Sequence, residues 1–343
     1  MSFAEGTTTL PTPALLLDAA ALDHNIAAMG AVLPGRRLRP HVKAFKSTGL
    51  AQRLADAGHD TFTVATLREA AGLLRAGLGE DVLLANESVD VDLLRSVAEL
   101  PGNLTVAVDS SETIAAAAEA GVASVLIDVN VGLPRCGCDP SVAGELADEA
   151  AAAGLTVRGV MGYEGHLMMV MDPASKARKV ERSMALLLAA SEAVQVRHPE
   201  ATIVSAGGTG TFDTNTWANE IQAGSYLMMD SHYSALEQPF RQALWVEATI
   251  ISIAPDRSYI VGDAGLKAFG MDHGDPTWGL GEVLFCSDEH ITMRPADPDA
   301  WSVGDRVRLV PAHVDPTIAK HERMWLLDGD AEPQAIQIDL RNW

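Results

Sequence analysis

The chain has 343 residues, and 25 Lys and Arg stand against 46 Asp and Glu, a formal net charge of −21. So acidic a chain repels phosphate backbones and anionic bilayers unless it concentrates its basic residues, and its densest basic stretch, Arg36 to Lys46, is short and interrupted by apolar residues. Nucleic acid and membrane surfaces are therefore excluded as partners. With 48% hydrophobic and 5% aromatic residues, long Ala-rich stretches and only 3 cysteines, two of them at Cys136 and Cys138, composition favours a helix-rich globular chain with neither a disulfide framework nor a structural zinc site. The N-terminus MSFAEGTTTLPTP has no basic stretch ahead of an apolar core, which predicts a cytoplasmic protein. Length alone implies about two domains, although an α/β barrel can exceed that allowance by itself.

In chain order, short β-rich runs alternate with helical stretches through the first 240 residues. The runs are Leu38–Lys43, Thr61–Ala65, Val82–Ala85, Leu104–Val108, Ser124–Val129, Val157–Met161, Thr202–Ala206 and Glu220–Ala223. Four helical stretches close on Ala-Gly, at Gly58, Gly77, Gly121 and Gly154, where glycine accepts the left-handed conformation. Ser47, Thr66, Ser110 and Ser141 stand where helices need N-caps. Helices between strands imply parallel pairing, and eight strands close a (β/α)8 TIM barrel, with an open doubly wound sheet as the alternative. After residue 240 the beat changes. Leu244–Ile253, Ser258–Gly262, Gly281–Phe285, His290–Met293, Arg306–Pro311 and Ala335–Leu340 are extended runs between Pro/Asp/Gly turns, an all-β second domain. TPALLLD near the N-terminus reads as one further strand.

In a parallel barrel, functional groups collect at the C-terminal strand ends. The first run ends at Lys43, and a lysine desolvated there loses basicity and becomes a nucleophile toward carbonyl compounds or pyridoxal phosphate. A lysine snorkelling at the barrel rim is the plainer reading. The seventh run leads into Ser205-Ala206-Gly207-Gly208-Thr209-Gly210-Thr211, and the eighth into Gln222-Ala223-Gly224-Ser225. Such turns offer amides and hydroxyls to a phosphate, or are simply tight. The sixth run ends Gly162-Tyr163-Glu164-Gly165-His166, where His166 is a general base or a core histidine. The fifth leads to Arg135. In the β domain, His313 and Asp315 lie two apart; on an extended segment both point the same way and suit a catalytic Mn²⁺, Mg²⁺ or Zn²⁺.

In this order, TPALLLD, RPHVKAFKS, FTVATLREA, GYEGHL, GGTGTF, QAGSYLMMD, DAGLKA and PAHVDPT resemble segments of the D-threonine aldolase / D-serine dehydratase family. These are fold-type III pyridoxal-phosphate enzymes with an alanine racemase-like barrel and a C-terminal β domain. The resemblance runs nearly end to end and implies a pyridoxal-phosphate barrel over residues 19–238, with residues 1–18 and 239–343 in the β domain and Thr12–Asp18 as one of its strands. It implies Lys43 as the lysine bonded to the cofactor and Arg135 near the phenolic oxygen. Tyr163 and His166 become cofactor- and substrate-side groups, His166 the base. Gly207, Gly208, Thr209 and Gly210, with Gln222, Gly224 and Ser225, line the cofactor's phosphate side, and His313 and Asp315 hold the divalent metal. It also implies a head-to-tail homodimer. Two departures stand out: Phe45 replaces a histidine common in the family, and the metal segment reads His-Val-Asp.

The expected activity is a lyase that cleaves D-3-hydroxy-α-amino acids to glycine and an aldehyde, because the family's aldolases tend to carry His-x-Asp and its dehydratases His-x-Cys. A dehydratase of D-serine or 3-hydroxyaspartate is the rival on the same scaffold. A racemase has no use for a metal pair. A non-catalytic pyridoxal-phosphate carrier has no use for the second domain.

Overall fold

A computed structural model describes residues 9–342; the first eight residues, on which much of the leader reading rests, lie outside the described part, as does Trp343. The chain opens with β1 (Ala14–Asp18) and α1 (Ala19–Val32). The alternation then runs α2 (Thr48–Asp56), β2 (Thr61–Val64), α3 (Leu67–Arg75), β3 (Asp81–Leu84), α4 (Val91–Ala98), β4 (Leu104–Val108) and α5 (Ser111–Glu119). It continues with β5 (Ser124–Asp128), α6 (Ala143–Ala152), β6 (Thr156–Gly162), α7 (Pro173–Gln195), β7 (Ile203–Ala206) and β8 (Glu220–Ile221). Strands β2 to β8 form one sheet in sequence order, every pair parallel.

The first expected strand is reduced. Leu38 bridges Ile221 and His41 bridges Thr63, both in parallel sense. The Arg39 amide donates to the Ile221 carbonyl at 2.9 Å and the Thr63 amide to the Pro40 carbonyl at 2.9 Å. Pro40 has no N–H to continue a ladder, and Val42–Ala44 already winds into a 3-10 turn. The segment still joins both edges of the seven-stranded sheet, so the barrel has eight staves, of which seven are regular strands.

Alternate positions on neighbouring strands place Leu83, Ala107, Leu126 and Met161 in one buried cluster. A charged layer lies among the strand starts. Arg39, 2% exposed, donates to both oxygens of Glu220 at 2.8 and 3.0 Å and to Asp81 at 3.0 Å. Arg158 meets both Asp81 oxygens at 2.8 Å. Burial pushes the Asp81 carboxyl up, but its bonds to Arg158 and Arg39 outweigh that and hold it well below the usual range.

The Ala-Gly helix ends behave as their sequences predict, and of the expected caps Thr66 and Ser110 are in place while Ser141 is not. Gly58, Gly77, Gly121 and Gly154 all take positive φ. Thr66 caps α3 by accepting the Glu69 amide, and Ser110 forms a capping box with Thr113. Ser141 is not a cap: Asp139 accepts its amide and its hydroxyl, and α6 starts after Val142 without a side-chain cap.

The second sheet contains β9 (Leu244–Ile253), β10 (Ile260–Gly262), β11 (Gly281–Cys286), β12 (Ile291–Pro295), β13 (Arg306–Leu309), β14 (Arg323–Leu327) and β15 (Gln334–Gln337). Its order is β11-β12-β10-β9-β1-β14-β15, with β13 also paired to β9. The N-terminal strand β1 lies inside this sheet, antiparallel to β9 and parallel to β14. Strand β14 and a short helix, α8 (Val314–Ala319), are additions to the all-β expectation. By compactness the described residues divide into one unit of Met29–Lys43 with Thr48–Gly224, and another of residues 9–28 with Ala44–Ser47 and Ser225–Arg341. No helix among the described residues is long and apolar enough to cross a membrane.

Candidate active site

Because every strand of the barrel runs the same way, the segments that follow them share one end. Lys43 lies there, half-buried in the 3-10 turn just past the bridging segment. Gly207 to Gly210 follow β7, and Gln222 to Gly224 follow β8. Gly207 takes φ +77, the left-handed turn only glycine adopts freely. A side chain on Gly210 would put its first carbon 2.3 Å from the Met168 carbonyl oxygen, so this turn is packed directly against the segment after β6. Gln222 donates to the buried Ser205 hydroxyl at 2.9 Å.

The turn is held from beneath by a residue that the spacing argument passed over. Glu164, fully buried, accepts the Gly207 amide at 3.0 Å, the Thr211 hydroxyl at 2.8 Å and Asn215 Nδ2 at 2.9 Å. From α7, the Lys176 ammonium donates to the Gly210 carbonyl at 2.8 Å. Both charges are spent on backbone and neighbouring side chains of the glycine-rich segment, fixing its shape. Glu164 was visible in the sequence only as the middle of Tyr163-Glu164-Gly165-His166.

Tyr163 and Arg135 are brought together: the guanidinium carbon lies 5.5 Å from the centre of the Tyr163 ring, a cation–π contact. His166 is exposed, which removes the core-histidine reading. Its ring lies against Gly132, where a Cβ would stand 3.2 Å from Cε1 and Nε2. Behind Arg135, Asp128 at the end of β5 has its carboxyl pushed up, by burial first and then by a hydrogen-bonded, like-charged Glu87. Glu87 also accepts from Cys136, and the Cys136 thiol is pushed up to about 11. All three cysteines are free.

In the other unit, His313 is extended (φ −142°, ψ 119°) but α8 starts at the next residue. The alternation expected of an extended segment therefore stops at His313, and Asp315 stands in the first helical turn. Pro316 causes no break, since proline is tolerated there. The Asp315 carboxylate accepts the Ser225 hydroxyl at 3.3 Å. The Val314 amide is taken by buried Asp230 at 2.9 Å. Two further residues arrive from the turn after β10: Asp272, His273 and His313 each present a donor atom within 4.8 Å of the others. Asp272 Oδ2 is 2.7 Å from His313 Nδ1, and the rings of His273 and His313 stack at 4.0 Å and 7°. The sequence contained this signal only as the turn DHGDPTWG.

The donor sets fit the groups implied by the resemblance. An amine, a guanidinium and a glycine-rich turn carrying the Thr209 hydroxyl match a pyridoxal phosphate's aldehyde, phenolate and phosphate. Imidazole nitrogen with carboxylate oxygen suits Mn²⁺, Mg²⁺ or Zn²⁺.

Comparison with known proteins follows the same division. Residues 17–232 match the family described as "Alanine racemase, N-terminal domain", and residues 243–327 that described as "Putative serine dehydratase domain". The chain is 33% identical to the 3-hydroxy-D-aspartate aldolase of Paracoccus denitrificans, covering 91% of this chain and 87% of that protein. The D-threonine aldolase of Filomicrobium marinum superposes with a TM-score of 0.91 at 30% identity, over 96% of this chain and 95% of that one. The D-threo-3-hydroxyaspartate dehydratase of Delftia sp. HT23 gives 0.85 at 27%, over 98% and 99%. A variant of a D-threo-3-hydroxyaspartate dehydratase has been solved in a metal-free form.

Proposed function

The chain belongs to the D-threonine aldolase / D-serine dehydratase family of alanine racemase-like proteins, and from that premise we propose that it is a lyase dependent on pyridoxal phosphate and a divalent cation, cleaving D-3-hydroxy-α-amino acids to glycine and an aldehyde. The observation that carries the choice of reaction is the carboxylate at position 315, two residues after His313. Retro-aldol cleavage breaks Cα–Cβ and needs the β-hydroxyl deprotonated, whereas dehydration must expel that oxygen. A hard carboxylate–imidazole pair suits Mn²⁺ or Mg²⁺ as well as Zn²⁺, while a thiolate partner selects Zn²⁺.

When bound, pyridoxal phosphate supplies the electron sink for the carbanion left by cleavage. A cation on His313 and Asp315 supplies Lewis acidity toward the hydroxyl. In this reading Lys43 would hold the cofactor covalently, and Gly207 to Gly210, with Gln222, Gly224 and Ser225, would receive its phosphate side. Arg135, supported by the Tyr163 ring, would offer its charge to the phenolic oxygen. An imidazole nitrogen of His166 takes the hydroxyl proton, a step worth about 10²–10⁴-fold in rate. The substrate is a small D-amino acid, and the protein is a cytoplasmic homodimer.

Product analysis on a panel of D-3-hydroxy amino acids tests the reading. Glycine plus aldehyde from D-threonine, D-phenylserine or 3-hydroxy-D-aspartate is expected, and 2-oxo acid plus ammonia in their place would establish the dehydratase instead. Light scattering should give the mass of two chains.

A further inference from the structure

We propose that Asp272 is a positioning residue for the cation site: its carboxylate accepts a hydrogen bond from His313 Nδ1–H, fixing the imidazole in the tautomer that leaves Nε2 as the ligand atom. The proposal rests on the reading of His313 as a cation ligand.

The contact is built by the backbone. Gly270 and His313 form an antiparallel bridge. The Gly270 amide donates to Thr317 Oγ1 at 2.9 Å, and that hydroxyl donates to the His313 carbonyl at 2.7 Å. A side chain at residue 270 would put its Cβ 2.3 Å from Pro316 Cγ, so glycine is what permits the approach. Two residues on, Asp272 Oδ2 reaches His313 Nδ1 at 2.7 Å. The Asp272 side chain is 53% exposed. A pair so accessible adds little to stability, and α8 does not need it, since the Val314 amide is already taken by Asp230.

Asp272, His273 and His313 also satisfy the distances of a three-ligand cluster, but their orientations argue otherwise. Imidazole lone pairs lie in the ring plane, and the His273 and His313 planes are 7° from parallel with centroids 4.0 Å apart. Lone pairs in parallel planes do not meet at one ion. His273 therefore acts as a flat wall for the His313 ring, and the His273 ring is in turn 4.4 Å from that of His232. Asp272 is spent on Nδ1. A carboxylate on the second nitrogen of a ligating histidine is the usual means of fixing its tautomer and raising its basicity.

The test uses the full chain stripped of metal. Long-range ¹H–¹⁵N correlation of labelled histidines reads the His313 tautomer, and Mn²⁺ titration followed by electron paramagnetic resonance reads affinity; neither depends on turnover. Wild type should show the Nδ1–H form. Asp272→Ala should lose that preference and bind Mn²⁺ about 10–100-fold more weakly. Asp272→Asn, whose carbonyl still accepts the proton, should keep the tautomer and lose less affinity. His273→Phe, which retains a flat ring without a donor, should bind near wild-type levels. Unchanged tautomer and affinity in Asp272→Ala would overturn the proposal. So would a His273→Phe loss equal to that of His313→Ala, which would make the cluster a direct ligand set. If His313→Ala itself binds Mn²⁺ normally, the cation reading fails, while the tautomer measurement still decides the Asp272 contact.

Discussion

Glu164 and Gly207 are joined by a hydrogen bond of 3.0 Å from the Gly207 amide to Glu164 Oε2, in a position where the carboxylate is fully buried. Its other oxygen accepts from Thr211 and Asn215. Three donors converge on one charge, so the glycine-rich turn is shaped by an acid beneath it as well as by its own flexibility.

Glu164→Gln replaces one acceptor oxygen with an NH₂ facing existing donors. The expected loss is about 1–3 kcal/mol in urea unfolding, together with weaker retention of pyridoxal phosphate on dialysis. A variant with wild-type stability and cofactor retention would show that the turn keeps its shape without the carboxylate.

Arg39→Met should cost about 3–5 kcal/mol, because buried Glu220 loses its guanidinium partner while Arg158 stays on Asp81. Arg39→Lys should recover little, since a point-charged ammonium cannot reproduce the forked contacts. Chemical denaturation at neutral pH measures both. With Asp81 depressed below its unfolded value, its contribution is fully present above about pH 5 and is lost as pH falls toward the folded value.

Asp128 has the opposite sign. Its folded carboxyl lies above the unfolded one through burial and through Glu87. The protonated form is the one the fold favours, so this contribution is present at acid pH and lost as pH rises through the folded value. Asp128→Asn should flatten the decline of Tm on the rising side of the pH profile. A decline as steep as in wild type would place its origin elsewhere.

Borohydride reduction of the cofactor-loaded protein should leave the pyridoxyl group on the peptide carrying Lys43, and peptide mass mapping separates that site from Lys46. Chelation should abolish cleavage of D-threonine, and Mn²⁺ or Mg²⁺ should restore it. Asp315→Ala should resist rescue at ordinary metal concentrations. Labelling at Lys46, or cleavage indifferent to chelators, would remove the corresponding part of the proposed function.

Local signals decided a large part of this protein. Ala-Gly endings set the left-handed stops at Gly58, Gly77, Gly121 and Gly154 because a Cβ is penalised there. The alternation of apolar runs and amphipathic stretches specified parallel pairing, with the count of eight runs favouring a barrel over an open sheet, and, where it ceased, a change to antiparallel sheet. Segments such as PHVK, GYEGH, GGTGT and HVD revealed the candidate chemistry because each packs its functional groups within a few residues. Other features exist only through pairing across long separations. Leu38–Lys43 reads as a strand by composition, but Pro40 lacks a donor and Val42–Ala44 winds into a 3-10 turn, so its pairing with each neighbour is reduced to single bridges. Val314–Ala319 is helical where its position in a β-rich region pointed to extension. Asp81 and Arg158 meet across 77 residues, and Asp272 and His313 across 41. No local pattern encodes those partners, because a carboxylate's role depends on which charge the fold brings within hydrogen-bond reach.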